Sequence, residues 1–306
     1  MLRSVFLNLS SNQAMRRFSE RSRTGRLLSQ RFVAGMEIEE AIAATEALAR
    51  EGMSVTLDSL GESVLEESAA ERSAAVYHRL LDEIGRRGLP ANVSVKLTQV
   101  GMDIDPAIAE RIVDGMVQHA GEVDSFVRLD MESSAYTEAT IAMAERLHAM
   151  PNGRGRVGAV LQAYLYRTAD DAKRLIDQGI RIRLCKGAYK ERAEVAFPQK
   201  SDVDENYAAL MVYLATSGVC CGMATHDERL IRELCAFTER HGLAKDAFEF
   251  QMLYGIRRDL QRSLVERGYR VRVYLPFGTE WYPYFMRRLA ERPANVIFLA
   301  KNFVRR

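Results

Sequence analysis

The chain reads as an α/β protein built as a (β/α)8 barrel, and three observations carry that reading. Roughly eight short strand candidates alternate with helical segments along 306 residues, with no linker or low-complexity stretch between them, so one barrel domain accounts for most of the length. Most of the strand candidates are apolar with little alternation, the pattern of strands buried on both faces. The Gly-x-Gly-x-x-Gly turn that a dinucleotide-binding sheet needs after its first strand is absent, which ranks a doubly wound sheet second.

The elements can be taken in order. The first 32 residues form a segment of their own, in which Arg3, Arg16, Arg17, Arg21, Arg23 and Arg26 stand with serines against the single acid Glu20. An organelle transit peptide has this composition. A basic helical face on anionic lipid is a second reading, and helices packed on the barrel through Phe18, Leu27, Leu28 and Phe32 are the third. The division adopted is a helical segment over 1–32 packed on a catalytic barrel over 33–306. Strands are expected at 54–58, 93–97, 126–130, 158–162, 180–185, 222–225, 248–251 and 269–274. Between them, Tyr77, Leu80, Leu81 and Ile84 make one apolar helical stripe, and Leu230, Ile231, Leu234 and Cys235 make another. Thr168, with Asp171 three residues on, reads as a helix N-cap, and Gly179 closes the same helix. After the eighth strand a Pro276/Gly278 turn leads into a last helix whose first turn tolerates Pro283.

Composition excludes several classes of function. Apolar residues are 47% and charged residues 27%, and no apolar run approaches the length of a membrane span. A net charge of +2, with no zinc-finger spacing and no aromatic RNA motif, gives no case for a nucleic-acid partner. Cys185, Cys220, Cys221 and Cys235 lack Cys-x-x-Cys spacing and lie in or beside core elements, so they read as thiols of a reducing compartment. A cytoplasmic location is expected, with peripheral contact at the inner face of the cytoplasmic membrane as an option left by the basic N-terminal segment. The five histidines are scattered, so no metal site is expected.

In a barrel the site lies at the C-terminal ends of the strands, and unusual polar residues collect there. The first strand ends in Asp58, with Glu62 in the following turn. The second carries Lys96, the third Arg128 and Asp130, and the fourth Gln162. The fifth supplies Arg183, Lys186, Gly187 and Tyr189, the sixth Thr225, His226 and Asp227, the seventh Gln251 and Tyr254, and the eighth Tyr274. On the last helix Tyr284, Arg287, Arg288 and Glu291 fall at i, i+3, i+4 and i+7, which puts an aromatic ring, two guanidiniums and a carboxylate on one face. Paired arginines suit a small carboxylate. Cations, amides and aromatics dominate, and no Gly-x-Ser-x-Gly elbow is present, so the set suits an anionic substrate beside a phosphate-bearing cofactor that performs the difficult step. A Schiff-base aldolase using Lys96 or Lys186 is the alternative.

Seven ordered motifs make a resemblance specific: Ser94-Val95-Lys96-Leu97-Thr98, Arg128-Leu129-Asp130-Met131-Glu132, Leu161-Gln162-Ala163-Tyr164, Arg183-Leu184-Cys185-Lys186-Gly187-Ala188-Tyr189, Ala224-Thr225-His226-Asp227, Phe248-Glu249-Phe250-Gln251-Met252-Leu253-Tyr254-Gly255, and the Tyr284, Arg287, Arg288, Glu291 helix. Together they resemble the proline dehydrogenase family in its short monofunctional bacterial form. The resemblance implies FAD-dependent oxidation of L-proline to Δ1-pyrroline-5-carboxylate by hydride transfer to flavin N5, on a modified barrel with its last helix laid over the site. It implies that electrons pass to a membrane quinone and that a separate pyrroline-5-carboxylate dehydrogenase takes the next step. It places Lys96, Arg183 and Asp130 in catalysis, with Lys96, Arg287 and Arg288 on the substrate carboxylate and Tyr189, Leu253, Tyr274 and Tyr284 around its ring. It gives Asp130, Met131, Gln162, Arg183, Lys186, Gly187, Ala188, Thr225, His226, Asp227, Gln251, Arg288 and Glu291 to the cofactor, and pairs Glu62 with Arg287 as a gate. Met131 stands where some relatives carry a smaller residue.

Overall fold

The structure, a computed structural model, describes the backbone of residues 31–61 and 63–291 and their side chains as far as residue 286. Eight parallel strands close into a barrel in chain order: β1 (Ser54–Ser59), β2 (Ala91–Lys96), β3 (Val127–Asp130), β4 (Val157–Gln162), β5 (Arg181–Cys185), β6 (Cys221–Ala224), β7 (Phe248–Leu253) and β8 (Arg270–Phe277). Each overlaps a strand expected from the sequence. Helix α1 (Ile38–Arg50) precedes β1, and α2 (Glu67–Arg87), α3 (Pro106–Glu122), α4 (Ser134–Ala149), α5 (Thr168–Asp177), α6 (Lys200–Ala215), α7 (Glu228–His241), α8 (Arg258–Glu266) and α9 (Trp281–Glu291) follow the strands in turn. A 3-10 turn at Leu97–Val100 stands between β2 and α3. Among the described residues no helix is long and apolar enough to cross a membrane.

The main core lies between the strands and their helices. Val55 and Leu57 of β1, Val93 and Val95 of β2, Ile182 and Leu184 of β5 and Val271, Val273 and Leu275 of β8 pack in one cluster with the helical stripe Tyr77, Leu80, Leu81 and Ile84. Each such side chain contributes roughly 1.5–3 kcal/mol by leaving water. The intervening positions tell against the expected apolar interior. Thr56, Asn92, Ser94, Asp130, Arg183 and Gln251 are all buried and bond to one another across the lumen, as Arg183 of β5 does to Thr56 on β1 and Ser94 on β2, while Arg128 and Gln162, also buried, donate to backbone carbonyls of Ala159, Arg181 and Glu132. The alternation of period two is therefore present, but its polar half faces other polar groups instead of water. Burial is tolerable for these side chains because their partners stand across the lumen.

Two glycines make the room. A Cβ at Gly158 would lie 2.3 Å from the Arg181 carbonyl oxygen and 2.7 Å from Arg128 Nη1, and one at Gly222 would lie 2.2 Å from Gln251 Nε2. Long side chains thus cross the lumen over glycine. A second departure concerns Thr168: it is the first residue of α5 and not its cap, and its hydroxyl donates to the Gln162 carbonyl at 2.5 Å. Gly179, at φ +76, does close that helix.

The C-terminal mouth is covered by α9. Trp281, Tyr282, Tyr284, Phe285 and Met286 form a separate cluster with Phe32, Val33, Leu60 and Ile256, and Leu253 packs against it. Leu60 follows β1 and Ile256 follows β7, so the helix lies over the strand ends. The first 30 residues, expected to be helical, lie outside the described residues.

Gly158→Ala is expected to destabilise the chain by about 1–3 kcal/mol through overpacking against backbone. Gly121→Ala, in the last turn of α3, where a Cβ would meet nothing closer than Asn152 O at 3.7 Å, is expected to be neutral or to stabilise by up to about 1 kcal/mol. Denaturant midpoints of the two variants check the contrast.

Candidate active site

At the mouth the strand ends place one cation at the centre of a polar group. Arg183 donates from Nε to Gln251 Oε1 at 2.6 Å, and from Nη1 to Asp130 Oδ1 at 2.7 Å and Ser94 Oγ at 3.3 Å. Among the described residues its Nη2 makes one long contact, 3.5 Å to Thr56 Oγ1, which leaves donor capacity at that nitrogen. Tyr274 donates to the other Asp130 oxygen at 2.8 Å, and the Arg183 guanidinium lies 5.0 Å from the centre of its ring. Asp130 therefore holds both the arginine and the phenol. With side chains only 6% and 12% exposed, the Arg183–Asp130 pair is screened little by solvent.

Below it a chain of hydrogen bonds fixes Gln251. Its Nε2 donates to Glu249 Oε1 at 2.5 Å, and Arg272 Nε donates to the same oxygen at 2.8 Å. Both ends of the Gln251 amide are thus spent on protein groups. Gln251, expected beside the cofactor, orients Arg183.

Lys96 stands 3.6 Å from Asp58 Oδ1, which accepts no hydrogen bond from any of the described residues. Burial raises the Asp58 carboxyl above the ordinary aspartate range, Lys96 opposes that rise, and Asp130 adds to it. Burial alone would lower the Lys96 ammonium, but Asp58 and Asp130 more than offset it and lift it above the usual lysine value. Lys96 stays charged through neutral pH.

The loops after β4 to β7 carry the remaining expected residues. Gln162 donates to the Glu132 carbonyl at 3.0 Å. Lys186 bonds Asp204 at 2.5 Å and Asp227 at 2.9 Å, and Asp204 also pairs with Lys200. Asp227 caps α7 through the Arg229 amide, while Thr225 Oγ1 accepts from the Asp227 amide at 3.1 Å. His226 Nε2 accepts from the Leu253 amide at 3.0 Å, which ties β6 to the end of β7. Gly187 adopts φ +112, and a Cβ there would lie 2.3 Å from the Tyr164 ring, so only glycine lets the loop run flat over that face. Ala188 and Tyr189 are exposed beyond it. Met131 is buried in the main core, and Leu253 and Tyr284 meet in the lid cluster.

Arg287, Arg288 and Glu291 ride on the α9 backbone, but their side chains lie outside the described residues. So does Glu62, and with it the expected gate. The sequence reading did not assign a role to Thr56, Ser94, Glu249 or Arg272, which hold Arg183 directly or through Gln251. The available signal was the alternation of polar with apolar residues at Ser54, Thr56 and Asp58 of β1, Asn92, Ser94 and Lys96 of β2, Glu249 and Gln251 of β7, and Arg270, Arg272 and Tyr274 of β8.

Lys96→Met removes the charge that most opposes the rise at Asp58. A carboxyl whose folded value is raised contributes stability that is present below its unfolded value, about 3.9, and lost as pH climbs through the folded value. The melting temperature of the variant is therefore expected to fall, relative to the unsubstituted chain, from about pH 4 toward neutrality. Parallel curves for the two chains would show that Lys96 does not sustain the Asp58 charge.

A family model described as proline dehydrogenase matches residues 41–301. The chain is 39% identical to proline dehydrogenase 1 of Bacillus subtilis subsp. natto over 306 residues, 100% of each chain. It is 43% identical to a proline dehydrogenase of Deinococcus radiodurans over 285 residues, 91% of this chain and 90% of the relative. A crystal structure of proline utilization A (PutA) from Bdellovibrio bacteriovorus, inactivated by N-propargylglycine, matches with a TM-score of 0.82 at 26% identity, over 91% of this chain and 34% of that one. The chain thus spans about a third of that PutA.

Proposed function

The chain belongs to the proline dehydrogenase family, and on that premise we propose that it oxidises L-proline to Δ1-pyrroline-5-carboxylate with FAD as its cofactor. The observation that carries this reading is the Arg183, Asp130, Tyr274 and Lys96 group beneath an aromatic lid at the mouth of the barrel. The donor set fits a flavin: Arg183 has unspent capacity at Nη2, and Gly187 keeps the loop after β5 flat. Gln162, Arg183, Lys186, Gly187 and Ala188 would hold its ring and chain, Thr225, His226 and Asp227 its ribityl and phosphate part, and Met131, Arg288 and Glu291 its remaining edge. When bound, FAD supplies the two-electron acceptor at N5 for hydride from the carbon next to the proline nitrogen.

The chain's own residues do the rest. Lys96, Arg287 and Arg288 bind the proline carboxylate, each charged hydrogen bond contributing roughly 1.5–3 kcal/mol. Leu253, Tyr274 and Tyr284 pack on the ring from strand ends and lid, with Tyr189 at the rim, and so orient its carbon for transfer. The lid cluster excludes water. Asp130 holds Arg183 and the Tyr274 hydroxyl in one arrangement, and Arg183 offers a preorganised positive charge where negative charge develops. Glu62 and Arg287 close the mouth as a gate. Electrons leave to a membrane quinone by peripheral contact, and a separate dehydrogenase consumes the product.

The aldolase alternative loses support from the same geometry. Imine formation needs a neutral amine, and Lys96 is held charged by Asp58 and Asp130 while Lys186 lies between two carboxylates.

The decisive measurement is the visible absorbance of the purified chain before and after anaerobic proline. A yellow flavin band that proline bleaches is the expected result, with the colour released into solution by acid. A colourless chain, or a band that proline leaves intact, would overturn the reading.

Tyr274→Ser is expected to lower kcat/KM with proline and to raise the relative efficiency with 4-hydroxyproline by a factor corresponding to about 1–3 kcal/mol. Tyr274→Phe removes the hydroxyl that bonds Asp130 and keeps the ring, and should leave the hydroxyproline ratio unchanged. If the serine variant also keeps that ratio and only melts earlier, Tyr274 does not contact the ring.

A further inference from the structure

The opposite end of the barrel carries a cavity of about 500 Å³ lined by five arginines and two acids. Both acids are already engaged: Asp124 pairs with Arg156 at 2.7 Å, and Glu249 with Arg272 at 2.8 Å. Arg128, Arg154 and Arg181 remain without an ion pair to any described carboxylate. Arg128 is the buried one, 4% exposed, and its Nε has no hydrogen-bond partner among the described residues. Its Nη1 is occupied by the carbonyls of Ala159 and Arg181 at 3.0 and 2.5 Å. The Phe126 ring lies under the guanidiniums of both Arg128 and Arg181, at 4.7 and 5.4 Å from its centre, and so holds the two near each other. Burial lowers the Arg128 guanidinium to about 9, with Arg183 adding to the fall and Glu249, already paired with Arg272, opposing it.

We propose that this basin at the N-terminal end of the barrel binds a small oxyanion carrying two or more negative charges, clasped by Arg128, Arg154 and Arg181. The guanidinium fork matches planar or tetrahedral oxyanions, and three such groups without partners exceed what a single monovalent anion neutralises. The basin opens at the strand starts and the mouth at the strand ends, with Arg128 two residues before Asp130 on β3. It is nonetheless joined to it by the bonds that run from Arg272 through Glu249 and Gln251 to Arg183.

Isothermal titration of the full-length chain, as purified, with pyrophosphate and separately with citrate tests the proposal, using sodium chloride at matched ionic strength as the control. Saturable binding near one equivalent is expected for at least one of the two, and it should weaken by about tenfold or more in the Arg154→Gln, Arg181→Gln double variant. Both substitutions lie at the accessible rim, far from the mouth, so the double variant is expected to keep its melting temperature in chloride and its turnover of proline. Binding of pyrophosphate alone identifies a phosphate-type ligand, and binding of citrate alone a carboxylate-type one. No saturable binding of either, or equal binding by the double variant, overturns the proposal.

Discussion

The rest of the barrel is arranged around one constraint, a guanidinium buried in its lumen. An unpaired buried charge costs several kcal/mol even after the protein relaxes, so Arg183 can stand on β5 only if neighbouring strands answer it. Asp130 on β3 supplies the counter-charge, Gln251 on β7 fixes the angle at Nε, and the hydroxyls of Thr56 and Ser94 fill the short remaining gaps. The long side chains need space, which Gly158 and Gly222 give them. A lumen of branched aliphatic layers, the commoner filling of such barrels, could not hold this cation.

The molecule separates what must be rigid from what must cover it. The main apolar core packs between the strands and their helices, whereas the lid has a cluster of its own, built on Trp281, Tyr284 and Phe285 with Phe32 and Leu60. The two are joined by backbone: the Ala34 amide donates to the Pro276 carbonyl at 2.9 Å, Gly278 to Gly35 at 3.0 Å and Leu60 to Phe277 at 2.8 Å. This strap sets where the lid begins. Elements that open around a ligand are drawn from such locally packed units.

The closed parallel sheet was legible because eight apolar runs at regular spacing admit few other solutions, and every expected strand was found. The polar interior was not. Arg181-Ile182-Arg183-Leu184-Cys185 alternates plainly, but alternation in a sequence says only that two faces differ, not whether the polar one meets water or other strands. The motif residues at strand ends were recognised as a group, and Lys96, Asp130, Arg183 and Tyr274 do converge. The split of labour within the group was invisible for a physical reason: Gln251 is oriented by Glu249 and Arg272, and Asp58 is desolvated next to Lys96, through contacts between strands far apart in the chain. Thr168 misled because a threonine before acids suits a cap, whereas the helix begins one residue earlier than that reading and the Thr168 hydroxyl donates back to the Gln162 carbonyl.

The bonded chain through the lumen also bears on how such a barrel can change over generations. Gln251 donates to Glu249 and accepts from Arg183, and Glu249 also accepts from Arg272, so replacing Glu249 alone takes the carboxylate from Arg272 and the acceptor from Gln251, and replacing Gln251 alone takes the acceptor from Arg183 Nε. Effects of neighbours in one network do not add. A drifting sequence can therefore rewrite the outer faces of the strands one residue at a time, while the inner faces change together or not at all. The interior behaves as a single inherited character spread over several strands.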